Sequence, residues 1–272
     1  MQRRGFALLI HFLEMATALG DLFLNKMQSV GNFSLFAYKF IITFIRYPIN
    51  RKQLIQHMYV VGIDSFYIIF VTGAFAGLAL ALQSYIGFSR VHAEHFTGVA
   101  ATLGVVRELG PVLTGILVSA KTGSSFAAEL GTMKITEQVD ALKTLCIDPF
   151  NFLIVPRILA SIIMLPFMTI FAMFFGVFSS YLLCIYGFGI NEQAYVQIVE
   201  EHLKLSDISG GLIKSIVFGF LLSLVGTYMG YKTEGGARGV GIATTQAVVI
   251  GAILILISNY ILASFLYNTG IS

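Results

Sequence analysis

Arg107 and Glu108 stand side by side about ten residues into an apolar run that begins near Thr97. At about 1.5 Å of rise per residue that is ~15 Å of depth, near the middle of a bilayer whose hydrocarbon core is about 30 Å thick. A charge there is costly unless it faces protein or a water-filled cavity. The two residues therefore either fix helix packing as an internal ion pair or line a path for a charged group of a substrate. Lys214, near the start of a later apolar run, can supply another cation to such a path. Gly110-Pro111 follows at once. Proline withholds an N–H and crowds the preceding turn, so the pair is a candidate hinge whose kink frees carbonyls that need other partners.

Three further clusters carry weaker chemistry. His92-Ala93-Glu94-His95 has the residue types of a metal site, but a short polar turn between two spans needs such residues for solvation alone, and no metal site is assigned. Gly115 to Thr122 reads GILVSAKT, one residue short of the phosphate loop. That loop requires glycine where Ala120 stands and a strand before it, whereas an apolar helix precedes it here, so it is read as coincidence and no ATP is assigned to it. Glu200-Glu201-His202 has acid–base residue types, yet neighbours on a helix point in different directions and a solvated face explains them. Cys146 falls in a polar segment and Cys184 deep in an apolar run, so they read as two free thiols. No catalytic residue is assigned.

The elements that must position these residues follow from composition and pattern. The chain has 272 residues, 57% hydrophobic and only 11% charged, against about 25% charged in soluble proteins. It reads as an all-α polytopic membrane protein. At about 20 residues per crossing there is room for roughly five to seven spans and for no soluble catalytic domain among them. The net charge of +3 is small and its cations lie near span ends, which speaks of topology and against nucleic acid.

Five spans are predicted, over 59–88, 97–120, 158–187, 208–231 and 242–266. The first carries Gly73-x-x-x-Gly77 and the fourth Gly226-x-x-x-Gly230, small-residue pairs that let helices approach closely. Pro166 lies inside the third, which is expected to be one long tilted or kinked helix, and Ser206-Asp207 can cap the fourth. Residues 124–146 are amphipathic and too short to span, so they lie at the membrane surface or dock on a partner, and Asp148-Pro149 ends them. Residues 191–205 form a second amphipathic, acidic, extramembrane helix.

Residues 1–50 read as an N-terminal interfacial segment of one or two helices, and 51–272 as the transmembrane domain. Arg3-Arg4, the apolar stretch 5–13 and Ala16-Thr17-Ala18 have the outline of a signal peptide, but His11 and Glu14 interrupt it, and the interfacial reading is preferred. With five spans, Lys121, Lys134, Lys143, Arg157, Lys232 and Arg238 fall on the side of the basic N-terminus, while Arg90, Lys204 and Lys214 stand on the other. By the positive-inside rule the N-terminus and the 124–146 segment are cytoplasmic.

RELGPV (107–112), GSSFAAELGTM (123–133), TEQVDAL (136–142), Asp148-Pro149 and GARGVGIATTQAVV (236–249) together resemble the MlaE/YrbE family of ABC-transporter permeases, over about 59–266 and in the same order and spacing. The resemblance implies a homodimer in the bacterial inner membrane, each copy bound to a separate cytoplasmic ATPase that holds ATP and Mg. It implies movement of phospholipid or a related lipid between that membrane and a periplasmic MCE-type carrier, which helps to maintain outer-membrane lipid asymmetry. A small STAS-type accessory subunit is a further implied partner, and the 191–205 helix becomes periplasmic. The family's coupling helix, which docks on the ATPase, maps to about 125–145, with Glu129, Thr136, Glu137 and Gln138 in the matching motif. Leu80, Arg107, Glu108 and Lys214 match the pattern of the lipid cavity or its charged surroundings. Two positions depart from the family pattern: Lys121 where Arg is common, and Asn259 where some members carry Asp. The first keeps charge without the planar fork of donors. The residues alone also admit an ion-coupled secondary transporter using Arg107 and Glu108, although the inverted repeats of that class are not visible, and a scaffold, for which midplane charge is an unneeded cost.

Overall fold

A computed structural model describes Leu24 and residues 27–268. The signal-peptide outline over 3–18 lies outside the described residues. The chain divides into two compact units at Tyr47 and Pro48. Within the first, α1 is a helix over 27–46, with the rings of Phe40 and Phe44 stacked at 6.1 Å.

Among the described residues, the second unit has seven helical stretches: α2 (Arg51–Ser89), α3 (Glu94–Ile135), α4 (Gln138–Thr144), α5 (Phe150–Gly187), α6 (Glu192–His202), α7 (Leu205–Tyr231) and α8 (Gly236–Asn268). No strand occurs among the described residues. Five of the helices, α2, α3, α5, α7 and α8, are long and apolar enough to cross a membrane, so this is a multi-pass membrane protein. The first span starts earlier than its apolar run because the Asn50 side chain caps α2, accepting from the Gln53 N–H at 3.4 Å.

The main departure from expectation is α3. Its 42 residues run about 63 Å, twice the hydrocarbon thickness. The second span and the start of the amphipathic segment are thus one continuous helix. The segment itself is broken: Glu137 takes a left-handed backbone at φ 61° and separates α3 from α4. Two π-helical turns, Val105–Leu109 and Ser119–Gly123, lie inside α3, and two more open and close α5 at Phe150–Ile154 and Leu183–Gly187. The third span is a single helix through Pro166, as expected.

Helix α5 is central, packed on α2 at one flank and α7 at the other, and α7 also packs on α3 and α8. The small-residue pairs sit at these contacts. A Cβ on Gly73 would stand 2.9 Å from the Ala172 carbonyl oxygen, and Gly77 meets Gly176 more closely still. On α7, a Cβ at Gly226 would lie 2.6 Å from the Gly123 oxygen and one at Gly230 2.9 Å from that of Ala127. Val61, Ile69, Phe126, Leu165, Phe218 and Leu222 fill the core between these backbones. Helix α8 is covered least, and Val249, Ile253, Leu256, Tyr260 and Ile261 stand exposed along it.

Candidate substrate cavity and coupling segment

The π-helical turn Val105–Leu109 and Pro111 together set the chemistry of the site. The Gly110 N–H reaches back to the Val105 oxygen, and Pro111 has no N–H to give the Arg107 carbonyl four residues earlier. That carbonyl accepts instead from Lys214 Nζ on α7, at 2.9 Å. The same ammonium donates to Glu108 Oε1 at 2.7 Å, and Glu108 Oε2 accepts from Asn259 Nδ2 on α8 at 2.9 Å. Arg107 turns the other way: its Nε and one terminal nitrogen lie 2.8 and 2.7 Å from Asp207 Oδ1. Asp207 Oδ2 accepts the Lys204 backbone N–H at 2.9 Å, which makes Lys204 the cap residue of α7 and Asp207 its partner in the first turn.

Arg107 and Glu108 are therefore each paired across to α7 and not with each other. Their side chains are 39% and 45% exposed, whereas Asp207 and Lys214 are 0% and 4% exposed. The α3 charges form the surface of the site and the α7 charges back them. Between them lies a cavity of about 240 Å³, which Gly210, Gly211, Ala263, Leu266 and Tyr267 complete. The four charges sum to zero and Asn259 adds none, so each ion enters the low-dielectric interior with a hydrogen-bonded counter-charge, the condition for tolerating it there. Asp207 lies in the first turn of α7 and Lys214 about two turns further in, so the site lies along the N-terminal third of that helix.

At the far end of α3, Glu129 accepts from Ser125 Oγ at 3.1 Å and from Arg157 on α5 at 3.0 Å. Arg157 is only 5% exposed, also donates to the Leu153 oxygen at 2.7 Å, and lies 5.9 Å from the Phe126 ring centroid. Thr136, Glu137 and Gln138 are exposed at the break between α3 and α4, and Val139 is buried beneath them. On α4, Lys143 donates to Asp140 at 2.7 Å and Lys134 lies 3.6 Å away. Chiefly through the Lys143 hydrogen bond, the Asp140 carboxyl is held below its ordinary range.

Two positions stand apart from the cavity. Leu80 faces Gly104, where a Cβ would lie 2.9 Å from its Cδ1, and packs on the cluster of Ala81, Ala101, Cys184 and Tyr195. Lys121, inside the second π-helical turn, donates to the Asp64 carbonyl oxygen of α2. The phosphate-loop-like stretch around it is helical throughout and forms no loop.

The family model described as permease MlaE matches residues 54–265. The chain belongs to the MlaE permease family. It is an ABC transporter permease of that family, which sets aside the secondary-transporter and scaffold readings. It is 43% identical over 256 residues to a probable ABC transporter permease of Rickettsia typhi, covering 94% of this chain and 99% of that one. It is 36% identical over 228 residues to the chloroplastic protein trigalactosyldiacylglycerol 1 of Arabidopsis thaliana, covering 84% of this chain and 65% of that one. It is 30% identical over 260 residues to the intermembrane phospholipid transport system permease protein MlaE of Haemophilus influenzae, covering 93% and 98%.

Of the residues that the MlaE-type motifs single out, Arg107, Glu108 and Lys214 meet in one network, next to Gly110 and Pro111. Glu129, Thr136, Glu137 and Gln138 gather at the other end of α3. Sequence reasoning missed Asp207 as the partner of Arg107, having read it only as part of a cap. A signal was present: neighbours on a helix diverge, so Glu108 cannot neutralise Arg107, and a second acid had to come from another helix. Asn259 was singled out only as a departure from the family pattern, and its bond to Glu108 gave no sequence signal.

Proposed function

We propose that this chain is the permease subunit of an inner-membrane ABC transporter that moves phospholipid or a related lipid to or from a periplasmic carrier of the MCE type, in support of outer-membrane lipid asymmetry. One observation carries the reading: a cavity in which Arg107 and Glu108 are partly exposed and held in place from behind by Asp207 and Lys214. A cation and an anion at the surface of an otherwise apolar bundle suit an amphiphile whose headgroup is charged and whose tails are not. The phospholipid-transport name of the Haemophilus influenzae relative supports the same cargo.

A second copy of the chain covers the exposed apolar side of α8 and closes the cavity, giving a homodimer. The N-terminus is cytoplasmic, as the Lys and Arg distribution supports. ATP and Mg reside on a separate ATPase, which engages the exposed Thr136, Glu137 and Gln138 between α3 and α4, and a STAS-type subunit is a further partner of that assembly. Because α3 is continuous from that contact to Arg107, displacement of its cytoplasmic end is transmitted along one helix, with Gly110 and Pro111 as the compliant point just before Arg107.

Purification of the protein with its native associates tests the proposal. An ATPase that co-purifies and shows vanadate-sensitive turnover responsive to phospholipid is the expected result. A protein that purifies without any ATPase from gently solubilised membranes overturns it.

A further inference from the structure

A second cavity lies on the other side of the Arg107 turn. Its volume is about 390 Å³, and residues of α3, α5, α6 and α7 line it, among them Val106, Met173, Val177, Tyr195, Leu203 and Ile208. No charged side chain lines it, and it opens along α5 where Phe174 and Phe178 are 60% and 49% exposed, on a helix that crosses the membrane. Val106 and Ile208 line this groove while their chain neighbours Arg107 and Asp207 line the polar cavity, so α3 and α7 at this level separate the two.

The lining selects the occupant. The groove is apolar along its lining and open on the side of Phe174 and Phe178, the surroundings that a lipid tail takes and a charged ligand does not. Lys204, the chain neighbour of the lining residue Leu203, is exposed at the junction of α6 and α7 and offers a cation to a phosphate.

We propose that this groove is an acyl-chain site: one tail of a bilayer phospholipid lies along α5 beneath α6, with its phosphate beside Lys204. The site is separate from the cavity assigned to the cargo headgroup and does not rest on that assignment, since a lipid can bind here whatever the transporter carries. If the cargo is phospholipid, the groove is a waiting position on the other side of α3 and α7 from the polar cavity.

The test uses the complete assembly in nanodiscs containing phosphatidylethanolamine with a diazirine on one tail, with photo-adducts mapped by mass spectrometry. Adducts are expected to concentrate on 170–178 and 195–208, to saturate with probe, and to be displaced by unlabelled phosphatidylethanolamine. Val177→Trp, which fills the groove, is expected to lower them about tenfold, the factor that 1.4 kcal/mol gives. Phe167→Trp, at a position that is 54% exposed on α5 and does not line the groove, is expected to leave them unchanged. Labelling spread evenly over the exposed face of α5, or rising with probe without saturation, identifies bulk lipid and overturns the proposal. If Val177→Trp does not assemble, the displacement measurement on the unaltered protein decides alone. A normal lipid-responsive ATPase with unsaturable labelling refutes this site while leaving the transport reading intact.

Discussion

Lys214 Nζ lies 2.9 Å from the carbonyl oxygen of Arg107, the atom that Pro111 leaves without its helical donor. The proline thus creates the acceptor that docks α7 on α3. Substituting Lys214 by Met removes the donor from both that carbonyl and Glu108. A loss of about 1–3 kcal/mol is expected, the cost of leaving buried acceptors unpaired, moderated because Glu108 is 45% exposed. In a Pro111→Ala background the restored N–H serves the carbonyl, so the same Lys214 substitution is expected to cost about 1 kcal/mol less. Thermal melts of the four proteins in one detergent measure the difference.

Asn259 donates to the oxygen of Glu108 that Lys214 does not hold. Asn259→Asp replaces that donor by a second carboxylate, and the two anions repel at hydrogen-bond distance. Lower stability at neutral pH is expected, with partial recovery in the double variant Asn259→Asp, Glu108→Gln, where one carboxylate again faces one ammonium. A double variant no more stable than Asn259→Asp alone shows that the two side chains are not coupled.

The folding of the bundle was largely legible in the residues, and where it was not, the reason is physical. Gly73, Gly77, Gly226 and Gly230 announced close helix approach, and each does meet a neighbouring backbone. Pro111 announced a disturbed helix, but not its form, because a π-helical turn depends on tertiary partners for the carbonyls that it frees. The break at Glu137 was hidden because a left-handed residue that is not glycine leaves no mark in composition. The pairing of Arg107 with Asp207 spans one hundred positions, and hydrophobic periodicity reports which face is buried, not which partner waits there.

Gly226 tests the packing argument. A Cβ there would stand 2.6 Å from the Gly123 oxygen, a backbone atom that cannot move aside cheaply, whereas one at Gly87 meets nothing within 4 Å. Gly226→Val is expected to destabilise by about 1–3 kcal/mol, the usual range for overpacking. Gly87→Ala is expected to be neutral or to stabilise by up to about 1 kcal/mol through the unfolded chain. Equal melting temperatures for the two variants contradict the packing.

Asp140 links α4 to pH. Its carboxyl titrates below the ordinary 3.8 because Lys143 donates to it and Lys134 stands near. A depressed folded value means that the contribution is present above the ordinary value and is lost as pH falls through the lower one. Backbone hydrogen exchange over 138–144 is therefore expected to quicken, after correction for intrinsic rates, only under strongly acidic conditions. Asp140→Asn should show the quicker exchange at neutral pH as well. Because the Asp140 side chain is exposed the effect is small.

The account stands most directly on Arg107, the partly exposed cation at the cavity surface. The decisive measurement is the rate of fluorescent phospholipid transfer between proteoliposomes holding the assembled transporter and the proposed periplasmic carrier, for the unaltered chain and for Arg107→Gln. The account predicts a fall of about tenfold or more, equivalent to at least 1.4 kcal/mol, with ATPase assembly intact. Transfer by the variant at the unaltered rate contradicts it.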